Sequence, residues 1–141
     1  IKLSNAEKQI FPHLDLEKLA NLLLESDCKG QKFLVTESLF SMDGDIAQLD
    51  KYIEICEETN TTLIVDEAHA VGVFGEKGSG LIEAFGLKHN QIISINTAGK
   101  ALGVSGAFVA GSAEFDRFFD KPMSLVYFFN CSSARLCGCF E

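Results

Sequence analysis

Leu63-Ile64-Val65-Asp66-Glu67-Ala68-His69 and Ile92-Ile93-Ser94-Ile95-Asn96-Thr97-Ala98-Gly99-Lys100 are the two stretches on which the reading of this chain turns. Each is an apolar run of strand length that ends abruptly in groups able to do chemistry. If one sheet sets the two runs side by side, a carboxylate, an imidazole and an amine converge on its carboxyl edge. That edge is where open α/β sheets hold ligands.

Working outward, Asp15 is placed to cap a helix whose Leu16, Leu19, Ala20 and Leu23 share a face, ending near Ser26 before the Lys29-Gly30 break. A strand is expected over 33–36, then a polar turn, Ser41-Met42-Asp43-Gly44-Asp45, and a second helix with Leu49, Tyr52, Ile53 and Cys56 at helical spacing. Another strand covers 62–65. Beyond His69 the chain carries Gly72, Gly75, Gly78 and Gly80, then a short helical stretch over 81–85 and a strand over 92–96. The residues between Thr97 and the next apolar run, 107–110, are too few for a crossover helix. That last strand should therefore run antiparallel, because parallel pairing takes a connection of about a dozen residues or more. Ser112 then reads as the cap of a helix bearing Phe115, Phe118 and Phe119. The alternation favours an α/β layer with a mostly parallel sheet.

Composition narrows the functional classes. Of 141 residues, 47% are hydrophobic and 23% charged, an ordinary globular balance. A net charge of -8 with no basic patch disfavours nucleic acid and anionic membrane as partners. The apolar runs are too short for a membrane span and no signal peptide is legible, so a cytoplasmic protein is expected. The chain opens on Ile1 and ends in a stretch of different character, and it reads as a piece of something larger. Cys28 and Cys56 sit in helical patterns and read most simply as core side chains, while Cys131, Cys137 and Cys139 crowd the end. Without a C-x-x-C pair, neither zinc nor redox chemistry is favoured.

Asp66-Glu67-Ala68-His69 also spells the metal-binding box of helicase ATPases, but those need an upstream G-x-x-x-x-G-K-[ST] loop. Here Gly99-Lys100 lies downstream, is followed by Ala101, and has Ser94 where the first glycine belongs, so the ATPase reading fails. H-E-x-x-H is absent and His13, His69 and His89 have no ligand spacing, which leaves no metal site expected. His13 reads instead as a residue leading into the first helix. Taken singly, Asp66 is a turn cap and Lys100 a solvated lysine. Taken together, both stand just beyond buried strands, in the arrangement pyridoxal phosphate requires: a lysine for its aldehyde and an acid for its ring nitrogen.

Four ordered blocks carry a resemblance that covers the chain up to about Tyr127. They are Val35-Thr36-Glu37-Ser38-Leu39-Phe40-Ser41-Met42-Asp43-Gly44-Asp45, Val65-Asp66-Glu67-Ala68-His69-Ala70-Val71-Gly72, Gly75-Glu76-Lys77-Gly78-Ser79-Gly80 and Thr97-Ala98-Gly99-Lys100-Ala101-Leu102-Gly103. This pattern resembles the α-oxoamine synthases, pyridoxal-phosphate enzymes of the aspartate-aminotransferase fold. The resemblance implies residues 1–128 to be the central part of a fold type I large domain, α/β, with one antiparallel strand in a mostly parallel sheet and helices on both faces.

By that resemblance Lys100 forms the Schiff base and then serves as general base, a role that needs a neutral amine, favoured by burial and by a nearby cationic ring. Asp66 faces the pyridine nitrogen, His69 lies near the ring hydroxyl with Ser41 in the same neighbourhood, and Thr97 contacts the phosphate. Glu37 falls close to the site, Gly103 and Gly106 let the backbone turn beside the cofactor, and Gln48 stands where the family often has Pro. The implied reaction condenses an amino acid with an acyl thioester, carried by coenzyme A or an acyl carrier protein, and releases carbon dioxide. Gly103-Val104-Ser105-Gly106-Ala107-Phe108-Val109 points within the family to alanine, a pimeloyl thioester and biotin formation. A glycine C-acetyltransferase-like synthase, an aminotransferase of the same fold and an inactive truncated product remain the alternatives. The parent is expected to be a homodimer and the isolated fragment inactive. Residues 129–141 depart from the family, and a one-base insertion near Phe128 would make them out-of-frame sequence.

Overall fold

β1 (Lys32–Glu37), β2 (Thr61–Asp66) and β3 (Ile92–Thr97) lie side by side and parallel in the computed structural model, which describes residues 7–88 and 90–112. β4 (Ala107–Ala110) closes the order β1-β2-β3-β4 and pairs antiparallel with β3, as the short Thr97–Ala107 connection demands. The expected helix after Ser112 and the tail from residue 129 lie outside the described residues.

The register follows from the buried set. Leu34 pairs with Leu63 and Leu63 with Ile92, so these three share one face. Onto it pack α1 (Leu16–Leu24), through Leu19, and α2 (Leu49–Glu58), through Leu49, Tyr52 and Cys56. Leu49, Tyr52, Leu63 and Val65 lose all but 1% of their exposure or less, each contributing about 1.5–3 kcal/mol. The short α3 (Leu81–Ala84) reaches the same cluster through Leu81 and Ile82. That α2 and α3 lie on one face follows from handedness: β1, β2 and β3 advance in one direction, and right-handed crossovers then fall on the same side. Phe33, Val35 and Val109, on the opposite face by register, are about half exposed.

Local chemistry sets the ends. The Asp15 carboxylate accepts the Lys18 N–H at 2.9 Å and starts α1, which stops at Leu24. Because the helix ends there, Cys28 falls in the following connector and is exposed, a correction to its reading as a core side chain; its thiol lies 3.7 Å from the Gly30 carbonyl. Cys56 is buried as expected. Gln48, at the start of α2, makes no side-chain cap. The Ser41–Asp45 turn is pinched by a bridge between Leu39 and Ile46, with Gly44 at φ +76. His13, leading into α1, holds Asp45 at 3.0 Å and stands edge-on to Phe40. Among the described residues no helix is long and apolar enough to cross a membrane.

Candidate functional site

Asp66 is the last residue of β2, and its Cα partners are Glu37, ending β1, and Ile95 near the end of β3. Thr97 closes β3 and Lys100 follows in the next turn, so the acid and the lysine do stand beyond the carboxyl ends of neighbouring parallel strands. The chain reverses over Lys100: the Gly103 N–H donates to the Lys100 carbonyl at 3.1 Å, Val104 to Ala98 at 3.1 Å and Ala98 to Gly106 at 2.9 Å. Gly103 and Gly106 take φ +65 and +126, as tight reversal at these two positions requires.

One Asp66 oxygen accepts the Ala68 N–H at 2.9 Å, an Asx turn that swings the chain away from the strand end. The Glu67 N–H donates to the Ile95 carbonyl at 2.9 Å and locks this corner to β3. His69 is half-buried in the turn that follows. Among the described residues no hydrogen bond or ion pair joins Asp66, His69 and Lys100 to one another. Lys100 is exposed, which departs from the burial expected to favour its neutral amine.

Thr97 carries the clearest mark of an unmet need. Its hydroxyl oxygen is buried and has no hydrogen-bond partner among the described residues, an arrangement that costs free energy unless something else bonds it. Ser41 is exposed, and its N–H is held by the Glu37 carboxylate at 2.9 Å, so Glu37 has the task of fixing the turn that presents Ser41. A cavity of about 510 Å³ opens beside Asp66 and Glu37, walled by Phe40, Tyr52 and the segment 11–14. Leu14, in that wall, adopts φ +55, a conformation costing about 1–2 kcal/mol for a residue with a Cβ.

Two features escaped the sequence. Gly72 lies against the Lys100 loop so closely that a Cβ there would come 2.5 Å from the Cβ of Ala101. Glu67, read only as one letter of a motif, is fully buried. Nothing in its flanking residues marks it as different from a surface glutamate.

The chain matches the model of the aminotransferase class I and II family over residues 1–137. It is 48% identical over 109 residues to an 8-amino-7-oxononanoate synthase of Janthinobacterium sp. (strain Marseille), covering 77% of this chain and 27% of that protein. Among solved structures it is similar to the 8-amino-7-oxononanoate synthase of Francisella tularensis, with a TM-score of 0.67 and 37% identity over 83% of this chain and 33% of the other. A serine palmitoyltransferase variant from S. paucimobilis with a bound PLP–myriocin aldimine superposes with a TM-score of 0.67 and 34% identity, covering 74% of this chain and 27% of that one. The chain thus spans about a quarter to a third of the length of these relatives.

Proposed function

The chain belongs to the aminotransferase class I and II family, and on that premise we propose that it is the central part of the cofactor-binding domain of an 8-amino-7-oxononanoate synthase, with pyridoxal 5'-phosphate as cofactor. The observation that carries the reading is the placement of Asp66 and Lys100 at the carboxyl ends of the adjacent parallel strands β2 and β3, with a buried, unpartnered Thr97 hydroxyl between them in sequence.

The donor set fits the cofactor. An anionic carboxylate suits a ring nitrogen that must keep its proton, a hydroxyl without a partner suits a phosphate oxygen, and a primary amine suits an aldehyde. When bound, pyridoxal phosphate supplies an electron sink for the negative charge that develops at the Cα of an amino acid. Asp66 would keep the ring nitrogen protonated by its charge, Thr97 would donate its hydroxyl to the phosphate, and His69 and Ser41 would serve the ring hydroxyl. Lys100 would hold the cofactor through its amine and act as the base that takes and returns the Cα proton.

The names of the relatives support alanine and a pimeloyl thioester as the substrate pair, joined with loss of carbon dioxide in biotin biosynthesis. Turnover belongs to a longer protein, a homodimer in this reading; the 141-residue chain by itself is expected to catalyse nothing.

Borohydride trapping tests the site. Wild-type chain incubated with pyridoxal phosphate and reduced should carry the adduct on Lys100 by peptide mass spectrometry, and Lys100→Ala should carry none; an adduct spread over surface lysines, or one that survives the substitution, sinks the assignment. For the substrates, this segment exchanged into the Janthinobacterium enzyme should make product from alanine and pimeloyl thioester. Product from glycine and acetyl thioester alone would overturn the pair.

A further inference from the structure

Glu67 is the one ionisable residue of the Asp66–His69 corner with no task in the chemistry above, yet it is 0% exposed. A buried carboxyl is costly unless its polar atoms are engaged, and a leucine would fill the same space without that cost. Its surroundings show what it could engage. The carboxyl sits on the bare Cα of Gly80, where any Cβ would overlap Oε2, and Gly80 is held at φ +109. The Ser38 hydroxyl and the N–H groups of Leu81 and Ile82, at the start of α3, face the carboxyl and favour its ionised form; burial and the Asp66 charge oppose them and win, raising its pKa above the usual glutamate value. Neither oxygen, however, meets a partner at full hydrogen-bond geometry, so the contacts are longer or off line.

The backbone of Glu67 is tied as firmly as its side chain is enclosed. Its N–H reaches the Ile95 carbonyl, and its carbonyl accepts the N–H groups of Ala70 and Val71, each at 2.9 Å. The loop it encloses is closed on itself by Gly72 N–H to Gly78 carbonyl at 2.8 Å and Gly80 N–H to Phe74 carbonyl at 2.9 Å. From outside, Glu83 clasps the same loop through the N–H groups of Lys77 at 3.0 Å and Ser79 at 2.8 Å. Gly72, within this loop, abuts Ala101, the neighbour of Lys100.

We propose that Glu67 is a positioning residue whose buried carboxyl, lodged between the β2 end and the first turn of α3, fixes the 70–80 loop and, through Gly72 against Ala101, the reversal that carries Lys100. The inference rests on the reading of Lys100 as the cofactor lysine for its consequence, not for its geometry. A carboxyl, and equally a carboxamide, both accepts and donates, so Gln can replace Glu here while an apolar chain of similar size cannot.

The test uses the 141-residue chain, wild type and the variants Glu67→Gln, Glu67→Met and Gly80→Ala, with two readouts. The first is hydrogen exchange, without cofactor, of the Gly72, Gly80, Gly103 and Val104 amides. The second is the rate at which borohydride-trapped adduct forms on Lys100 with pyridoxal phosphate. In Glu67→Met the four amides should exchange at least about tenfold faster while the β1, β2 and β3 amides stay protected, and trapping should slow by about tenfold. Gly80→Ala, which displaces the carboxyl without altering it, should reproduce both effects, and Glu67→Gln should stay within about twofold of wild type in both. Unchanged exchange in Glu67→Met, faster exchange spread evenly over all strands, or Glu67→Gln behaving as Glu67→Met overturns the proposal. Absence of adduct in the wild type would count against the cofactor reading, and the exchange results would still decide for or against Glu67.

Discussion

The Cα of Gly72 and the methyl group of Ala101 are in direct contact: a side chain on Gly72 would put its Cβ 2.5 Å from that of Ala101. Two loops far apart in sequence, one following His69 and one carrying Lys100, are packed together at this point. Gly72 also takes φ +81, where a Cβ is strained whatever the space. Gly72→Ala is therefore expected to lower stability by about 1–3 kcal/mol, read as a shift in urea midpoint at constant slope. Adding Ala101→Gly should restore the steric part and leave the backbone part. Full additivity of the two substitutions would contradict the contact.

Thr97→Val should act with opposite signs on two observables. Replacing a buried hydroxyl that lacks a partner by a methyl group of the same shape is neutral or stabilising for the chain without cofactor, by up to about 1 kcal/mol. If that hydroxyl holds the phosphate, affinity for pyridoxal phosphate falls about tenfold, the worth of one lost hydrogen bond to an anion. Thermal melts without cofactor and a cofactor titration separate the two. A clear loss of stability would show that the hydroxyl already has a partner.

Glu67 gives the fold a pH dependence with a definite sign. Its carboxyl is raised above 4.5 in the folded chain, chiefly by burial. The folded state thus binds this proton more tightly than the unfolded state does, so the contribution is complete below the ordinary glutamate value and disappears as pH rises through the raised one. Urea midpoints of wild type minus Glu67→Gln, measured across that interval, should fall with rising pH. A flat difference would show that Glu67 ionises in the fold as it does in a free chain.

The two described cysteines should differ in reactivity. Burial pushes the Cys56 thiol up to about 12, whereas Cys28 is exposed. In native chain at pH 8, iodoacetamide should label Cys28 more than about tenfold faster than Cys56, and the difference should vanish in denaturant. Peptide mapping reads both sites in one digest. Equal native rates would place Cys56 outside the core.

Strand positions and the antiparallel turn of β4 were legible because they follow from short-range rules: apolar runs of strand length, and a Thr97–Ala107 connection too short for a crossover. The positions of Asp66 and Thr97 at strand ends were legible for the same reason, and Lys100, three residues on, followed from the end of β3. Cys28 was misplaced because it lies beyond α1, in the connector to β1, where no helical face buries it. Glu67 and the contact of Gly72 with Ala101 depend on how a glycine-rich loop folds back. Pattern along the chain carries no information about that path. The exposure of Lys100 likewise depends on what lies over its loop, which strand spacing does not reveal.

The order β1-β2-β3-β4 matches the order of synthesis, so every strand finds its partner in the strand made just before it. Each pairing closes a modest stretch of chain, and loop-closure entropy grows only slowly with such lengths. This order lets pairing begin while later residues are still on the ribosome. Asp66 is set when β2 docks on β1, and the Lys100 turn is set when β4 folds back on β3. The acid and the lysine therefore depend on different strand pairings, β1 with β2 and β3 with β4. A substitution that slows the second, such as one in the Gly103–Gly106 reversal, should delay the lysine without delaying the acid.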